Sequence, residues 1–273
     1  MPLAMAGFTL GIRPVASLRP HEDIIARHVD QLASEMKRDR MQRDPVIIDG
    51  ESAAVLDGMH RLAAFQKLKI ENAVCCSVDY SSPAVKLGRW ARVYKLRAGD
   101  SLKGALEAKG GMQRVPLAEA FSALDRREVA VAALTGDAAF VSGGRMTHEE
   151  LVATMLSFDR LAEQSGWERS FVPEDEVDVP LQQQGKFVVL SRRITKEDVV
   201  TAARTGKLFP CKTSMHLIDP RPVAVNYPLA ELNRATTAQL KARLGDGEGK
   251  VLPPGTLYGG RRYKERLLML DQR

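Results

Sequence analysis

"PVIIDGESAAVLDGMHRLAAF", Pro45 to Phe65, holds the pattern from which the fold of this chain is built. Pro45–Asp49 and Ala53–Leu56 are two short apolar runs around Gly50-Glu51-Ser52, which is the signal of a β-hairpin. Leu62, Phe65 and Leu68 then recur at helical spacing, predicting a helix from Met59 to about Leu68. Asp57-Gly58 is therefore the hand-over from strand to helix. The first N–H groups of a helix have no intrahelical partners and lie at the positive end of its dipole, so this is a place where an anion can bind. Gly58 permits close approach, Arg61 adds a forked donor in the first turn, and His60 adds a donor that is neutral or cationic near neutral pH. The same residues also fit an ordinary turn, with Arg61 solvated and His60 a buried polar group.

On the N-terminal side, Ile12–Leu18 is expected as a strand with Pro14 at an edge or bulge. Ile25, Val29, Leu32, Ala33 and Met36 predict a helix from about Asp23 to Arg38. On the other side, Ala73–Tyr80 and the segment Val85–Leu96 around Trp90 are expected as strands, giving a β-α-β-β-α-β unit of α+β type. Residues 98–111 are helical and glycine-punctuated in pattern, and Thr147-His148-Glu149-Glu150 is the start signal of another helix. Pro173–Pro180, with four acids among its eight residues, is the expected linker. Beyond it, Phe187–Leu190 predicts a strand, Thr195–Gly206 a helix, and Phe209–His216 a loop before a strand at Val223–Val225.

Lys and Arg number 40 against 34 Asp and Glu, and the net charge of +6 favours anionic partners, among them phosphorylated metabolites, nucleotides or nucleic acid. Only 5% of residues are aromatic, which does not suggest a single-strand stacking platform. No apolar run reaches the ~20 residues of a membrane helix, and residues 1–10 lack a leader pattern, so a cytoplasmic location is expected. Cys75 and Cys76 are adjacent and Cys211 stands alone, which suits thiols in a reducing compartment better than metal ligands. P-loop, dinucleotide-binding and protein-kinase motifs are missing, and His21 and His28 are spaced too far apart for a zincin helix.

A family resemblance runs through these residues. RDPVIIDGESAAV followed by LDGMHRLAAFQKLKI, residues 43–70, resembles the ParB/sulfiredoxin superfamily, in which a hairpin leads into a helix opening with G-x-x-R. Sulfiredoxins carry G-C-H-R and ParB clamps G-E-R-R. Here Met59 takes the position of the sulfiredoxin cysteine, and a thioether cannot act as a thiolate, which argues against sulfinic-acid repair. The preceding aspartate gives D-G-x-H-R, similar to the free L-serine kinases, whose usual D-G-H-H-R differs at Met59. LRPHEDI places Glu22 ahead of the first helix, where those kinases hold a catalytic glutamate. LFPCKTSMHLIDPRPVAVNYPLAEL, residues 208–232, is similar to their P-P-K-S-T-R-H substrate loop, with Cys211 and Met215 in place of proline and arginine. Trp90 falls where they place a substrate-site aromatic.

The resemblance implies an α+β fold: a ParB/sulfiredoxin-like nucleotide-binding core at 1–98 and an α/β C-terminal lobe at 99–273 that contributes a substrate loop at 208–222. It implies a Mg²⁺-dependent kinase that moves a phosphoryl group from ADP or ATP to the hydroxyl of free L-serine, making O-phospho-L-serine. L-threonine is the nearest variant, since one methyl is worth only ~1–3 kcal/mol in an apolar pocket. Glu22 would be the general base, and Asp57 would position the hydroxyl or hold Mg²⁺ through water. Gly58, Met59, His60 and Arg61 would take the nucleotide phosphates, and Lys212 the transferring phosphoryl. Trp90, Thr213, Ser214 and His216 would bind the amino acid or its product.

Taken singly, these residues have plainer readings: Glu22 as an acid complementing a helix dipole, Asp57 as a turn former, Trp90 as a core aromatic, and CKTSMH as a polar surface loop. The competing class is a ParB-like DNA-binding or nucleotide-switch protein, which predicts a helix-turn-helix after the core and a clustered basic face. A third is a non-catalytic sensor that keeps the nucleotide fold.

Overall fold

The computed structural model describes residues 7–102, 104, 106, 111–144, 146–244 and 249–270. Of these, the residues up to Leu87, Lys196–Cys211 and those from His216 onward form one compact unit, while Gly88–Thr195 and Lys212–Met215 form a second. This division differs from the expected one at residue 98. The chain beyond Lys196 largely returns to the first unit because its backbone completes that unit's bonding. Tyr227–Pro228 pairs with Met41–Gln42, and Thr237 Oγ1 accepts the N–H of Ile12 at 3.1 Å.

In the first unit, β1 (Phe8–Pro14), β2 (Met41–Gln42), β3 (Val46–Asp49), β4 (Val55–Asp57) and β5 (Asn72–Val78) are interleaved with helices α1 (Ala26–Asp39) and α2 (Met59–Lys67). The main sheet has the order β1-β5-β3-β4. β5 is antiparallel to β1 and parallel to β3, and β3 and β4 form the predicted antiparallel hairpin. Ala73, Val74, Cys75 and Cys76 in the central strand are fully buried, as expected of a continuous apolar run between two neighbours. Burial pushes the Cys75 thiol up to about 12 and raises Cys76 as well, so both are core atoms rather than reactive ones. β1 begins at Phe8 rather than Ile12, and Val15–Ser17 is a 3₁₀ turn. Pro14 thus ends the strand, where no further ladder N–H is required. α1 begins at Ala26 rather than Asp23, because the preceding residues are tied to Phe209: Glu22 bridges it, and the Asp23 N–H donates to its carbonyl at 2.8 Å.

In the second unit lie most of β6 (Val85–Lys95), whose first three residues belong to the first unit, and β7 (Met112–Val115), β8 (Val131–Leu134), β9 (Ala139–Ser142), β10 (Glu168–Pro173) and β11 (Lys186–Ser191). They run in the order β10-β6-β11-β8-β9-β7. Val93, Leu124, Leu134, Val188 and Leu190 sit in the core, each worth ~1.5–3 kcal/mol on burial. The helix predicted to open at Thr147 spans His148–Ser165, and the one expected at Thr195 spans Lys196–Thr205.

Three further expectations are corrected. Pro173–Pro180 is not a linker: it closes β10 and forms helical turns at Glu174–Glu176 and Asp178–Leu181. Val177 and Leu181 enter the core, and Glu174 pairs with Arg89 Nε and with Arg193 Nη1, each at 2.8 Å. Its acids look like solvated charge in the sequence, yet one of them neutralises a buried arginine. The expected loop at Phe209–His216 contains the start of a strand, Ser214–Ile218, and the following strand is Arg221–Val223 rather than Val223–Val225. Of the helix expected over 98–111, residues 103, 105 and 107–110 lie outside the described residues. No described helix is long and apolar enough to cross a membrane.

Candidate active site

The start of α2 in the first unit has the features that the sequence pattern demands. Gly58 occupies the cap position at φ 103°, in the left-handed region open to glycine, and no side chain caps the helix. A Cβ at Gly58 would lie 3.1 Å from Arg61 Nη2 and 3.3 Å from Nε, so the glycine leaves room for the guanidinium to fold back over the turn. Arg61 Nη2 donates to the Pro45 carbonyl at 2.9 Å and to Asp57 Oδ2 at 3.2 Å. Its Nε is buried with no hydrogen-bond partner, a donor directed at the same turn. Met59 is the first helical residue and is partly buried. His60 is not aimed at a ligand through Nε2: that atom accepts the Ile25 N–H at 3.0 Å and so supplies the cap that α1 lacks from its own sequence.

Asp57 is held by two arginines. Its Oδ2 lies 3.2 Å from Arg61 Nη2 and 3.3 Å from Arg221 Nη1. Arg221 is buried, donates from Nε to Glu265 Oε1 at 2.5 Å, and from Nη2 to the His216 carbonyl at 2.6 Å. Two guanidinium groups on one oxygen keep Asp57 ionised and immobile, which suits an orienting acceptor better than a base.

Glu22 is buried beside His21, with His21 Nε2 at 3.7 Å from Glu22 Oε1. The His21 ring meets that of His216 edge-on, with centroids 5.5 Å apart. His216 is also buried, and its Nε2 lies 2.7 Å from the Tyr80 hydroxyl. Burial pushes its imidazole down to about 3, with His21 as the next contributor, so it is neutral and accepts the Tyr80 O–H. Burial also raises the Tyr80 phenol, keeping it a donor.

The other predicted residues belong to the second unit. Lys212, at φ 58°, places its ammonium 4.6 Å from the centroid of the Trp90 ring, a cation–π contact. The Trp90 N–H donates to the Thr213 carbonyl at 3.4 Å, and Thr213 and Ser214 are buried. Trp90 is only partly buried, so its ring is not a core aromatic. Sequence reasoning missed His21 as a partner of Glu22, and it missed Tyr80, Arg221 and Glu265. The Arg221 signal was a charged residue inside a proline-rich apolar strand; Tyr80 and Glu265 carried none.

A cavity of about 310 Å³ in the first unit is lined by Met36, Gln42, Asp44, Arg61 and Tyr258, among others. A larger one, about 740 Å³, is lined by Thr9, Asp49, Tyr80 and Lys196 among others and includes none of the residues that the sequence singled out. Among the described residues, no group of three or more His, Cys, Asp or Glu side chains could hold a metal ion. Mg²⁺ typically binds through one or two carboxylates together with substrate phosphates and water. A single half-exposed carboxylate such as Asp57 fits that mode and no stronger one.

Comparison with known proteins places this geometry among relatives. No protein-family model matches the chain. It is similar to the ADP-dependent L-serine kinase of Thermococcus kodakarensis, 26% identical over 223 residues, 79% of this chain and 89% of that one. It is also similar to the ATP-dependent L-serine kinase of Staphylothermus marinus, 25% identical over 232 residues, 80% of this chain and 89% of that one. A ParB-like protein of Sulfolobus acidocaldarius is 34% identical, but over 76 residues, 28% of this chain and 38% of that one. Among solved structures, a free serine kinase in complex with AMP superposes with a TM-score of 0.67 at 22% identity, covering 83% of this chain and 94% of that one. The C-terminally truncated SbnI of Staphylococcus aureus gives 0.68 at 13% identity, covering 89% of this chain and 95% of that one. The fold is therefore that of the free serine kinases and their ParB-like neighbours, as the resemblance implied.

Proposed function

We propose that this chain phosphorylates the hydroxyl of free L-serine, with ADP or ATP as phosphoryl donor. The observation that carries the reading is the uncapped start of α2, where left-handed Gly58 and the unpartnered Nε of Arg61 meet, in the same unit as a buried glutamate, Glu22. A polyphosphate at that turn gains backbone N–H groups, the helix dipole and a guanidinium together. Glu22 takes the hydroxyl proton as the serine oxygen attacks phosphorus, and Asp57, fixed by Arg61 and Arg221, orients the hydroxyl. Mg²⁺, arriving with the nucleotide and touching Asp57, would neutralise phosphate charge. Trp90, Lys212, Thr213 and Ser214 keep the roles that the resemblance implies, contacts to the amino acid and its phosphate. His216 acts from inside the fold, through its bond with Tyr80. The kinases among the relatives are named for serine, and threonine has no such support.

The competing reading, a ParB-like DNA-binding or nucleotide-switch protein built on the same hairpin-helix core, has a ParB-like relative matched over only 28% of this chain. Among the described residues after that core, β8 and β9 separate the helices Leu117–Asp125 and His148–Ser165, in place of the short turn of a helix-turn-helix. The test incubates the purified chain with L-serine, Mg²⁺ and ADP or ATP, and follows phosphoserine by mass spectrometry. Phosphoserine should form, and Glu22→Ala should slow it by roughly 10²–10⁴-fold. Nucleotide hydrolysis stimulated by duplex DNA, without phosphoserine, would replace this reading with the ParB-like one.

A further inference from the structure

His21 is buried at 1% exposure and its ring is pinned from three sides. From β4, the Val55 carbonyl lies 2.7 Å from Nδ1. A carbonyl can only accept, so Nδ1 carries a proton and, in the neutral ring, Nε2 carries the lone pair. That lone pair is on the side of Glu22, whose Oε1 is 3.7 Å away, within ion-pair range and longer than a hydrogen bond. From the strand Ser214–Ile218, the ring of His216 meets His21 edge-on. His216 is held neutral by burial and its Nε2 is occupied by Tyr80, so it neither competes for a proton nor places a positive charge on His21. Arg221 and Asp57, the charged groups beyond it, act on His216 with opposite sign.

We propose that His21 is the positioning residue of Glu22: it receives at Nε2 the serine proton that Glu22 removes, and as an imidazolium it then pairs with the restored carboxylate. The step rests on the kinase reading above and balances without a further reactant. The serine oxygen forms its bond to phosphorus as its O–H bond breaks, and the proton passes to Glu22. The bond from phosphorus to the departing nucleotide oxygen breaks, and its electron pair leaves with the nucleotide. Glu22 returns to the carboxylate by passing the proton to His21, whose Nδ1–H stays on the Val55 carbonyl throughout. Contacts of this kind are often long before substrate binds and tighten in the reacting complex, so 3.7 Å is compatible with transfer.

The full chain, Glu22→Gln, His21→Asn and the double variant test this by steady-state formation of phosphoserine, with circular dichroism as the check on folding. His21→Asn keeps an amide where Nδ1 bonds Val55 and removes the atom beside Glu22. It should lower kcat about 10²-fold while KM for serine and nucleotide stays within about threefold. In the Glu22→Gln background, where no carboxylate hands over a proton, the same change should cost less than about threefold. If His21→Asn does not fold, His21→Gln, which places a non-basic amide beside Glu22, should show the same loss of kcat. A folded variant with wild-type kcat, a rise in KM with kcat intact, or a full loss persisting in the Glu22→Gln background would each overturn the proposal. A wild-type chain that makes no phosphoserine removes the kinase reading itself, and this proposal with it.

Discussion

Two helices of this chain begin in opposite ways. The helix His148–Ser165 closes its own start: Thr147 Oγ1 accepts the Glu150 N–H at 3.2 Å, and Glu150 Oε2 accepts the Thr147 N–H at 2.8 Å. Two acids, Glu149 and Glu150, occupy its first turn. α2 has no side-chain cap, no acid in its first turn, and a glycine at φ 103° where a Ser or Thr would ordinarily stand. A capping box satisfies orphan donors and complements the dipole, so the first helix has no use for an anion. The second leaves the same donors open and adds a cation. At φ 103° the Gly58 position excludes a capping Ser or Thr, so the backbone itself keeps this turn open.

That contrast can be put under load. Its hardest test is Gly58→Ala. The new Cβ would force a left-handed residue, costing ~1–3 kcal/mol, and would push against Arg61 at 3.1 Å. Displacing that guanidinium should lower kcat/KM about 10²-fold, mostly through nucleotide KM, measurable by phosphoserine formation. An unchanged nucleotide KM in a folded variant would mean that the turn is not where phosphates sit.

Acid should weaken the unit that carries α2. His216 binds its proton at about 3 in the folded chain against an ordinary 6.5, so between those values the unfolded chain holds more protons than the folded one. Its contribution is complete above 6.5 and is lost as pH falls toward 3, with a slope approaching about 1.4 kcal/mol per pH unit. Urea midpoints measured from pH 7 to 4 should show that slope in the wild type, and His216→Gln should flatten it. The smallest effect belongs to the capped helix. Thr147→Ala should cost about 1 kcal/mol, a fall in Tm of roughly 2–4 °C, and leave nucleotide KM untouched.

The elements that were legible beforehand share one property: their signals lie within a few residues. The hairpin at β3 and β4, the start of α2 and the capping box at Thr147 follow from local spacing and turn chemistry. The expectations that failed depended on distant chain. The stretch after Pro173 looked like a linker because its acids were in view while the partners of Glu174, Arg89 and Arg193, were not. Likewise the plainer reading of CKTSMH as a polar surface loop fails, because Thr213, Ser214 and His216 are buried.

The site divides along the same line. Gly58 and Arg61 could be picked from the sequence because a strand, a glycine and a helix start are contiguous, and backbone geometry over four residues is set by those residues themselves. Only tertiary structure decided that Asp57 is shared by Arg61 and Arg221, that His60 caps α1, and that His216 is buried neutral against Tyr80. Burial and charge pairing depend on which distant segments exclude water from a side chain, and Tyr80 and His216 meet across 136 residues of chain, a distance over which no local pattern carries information.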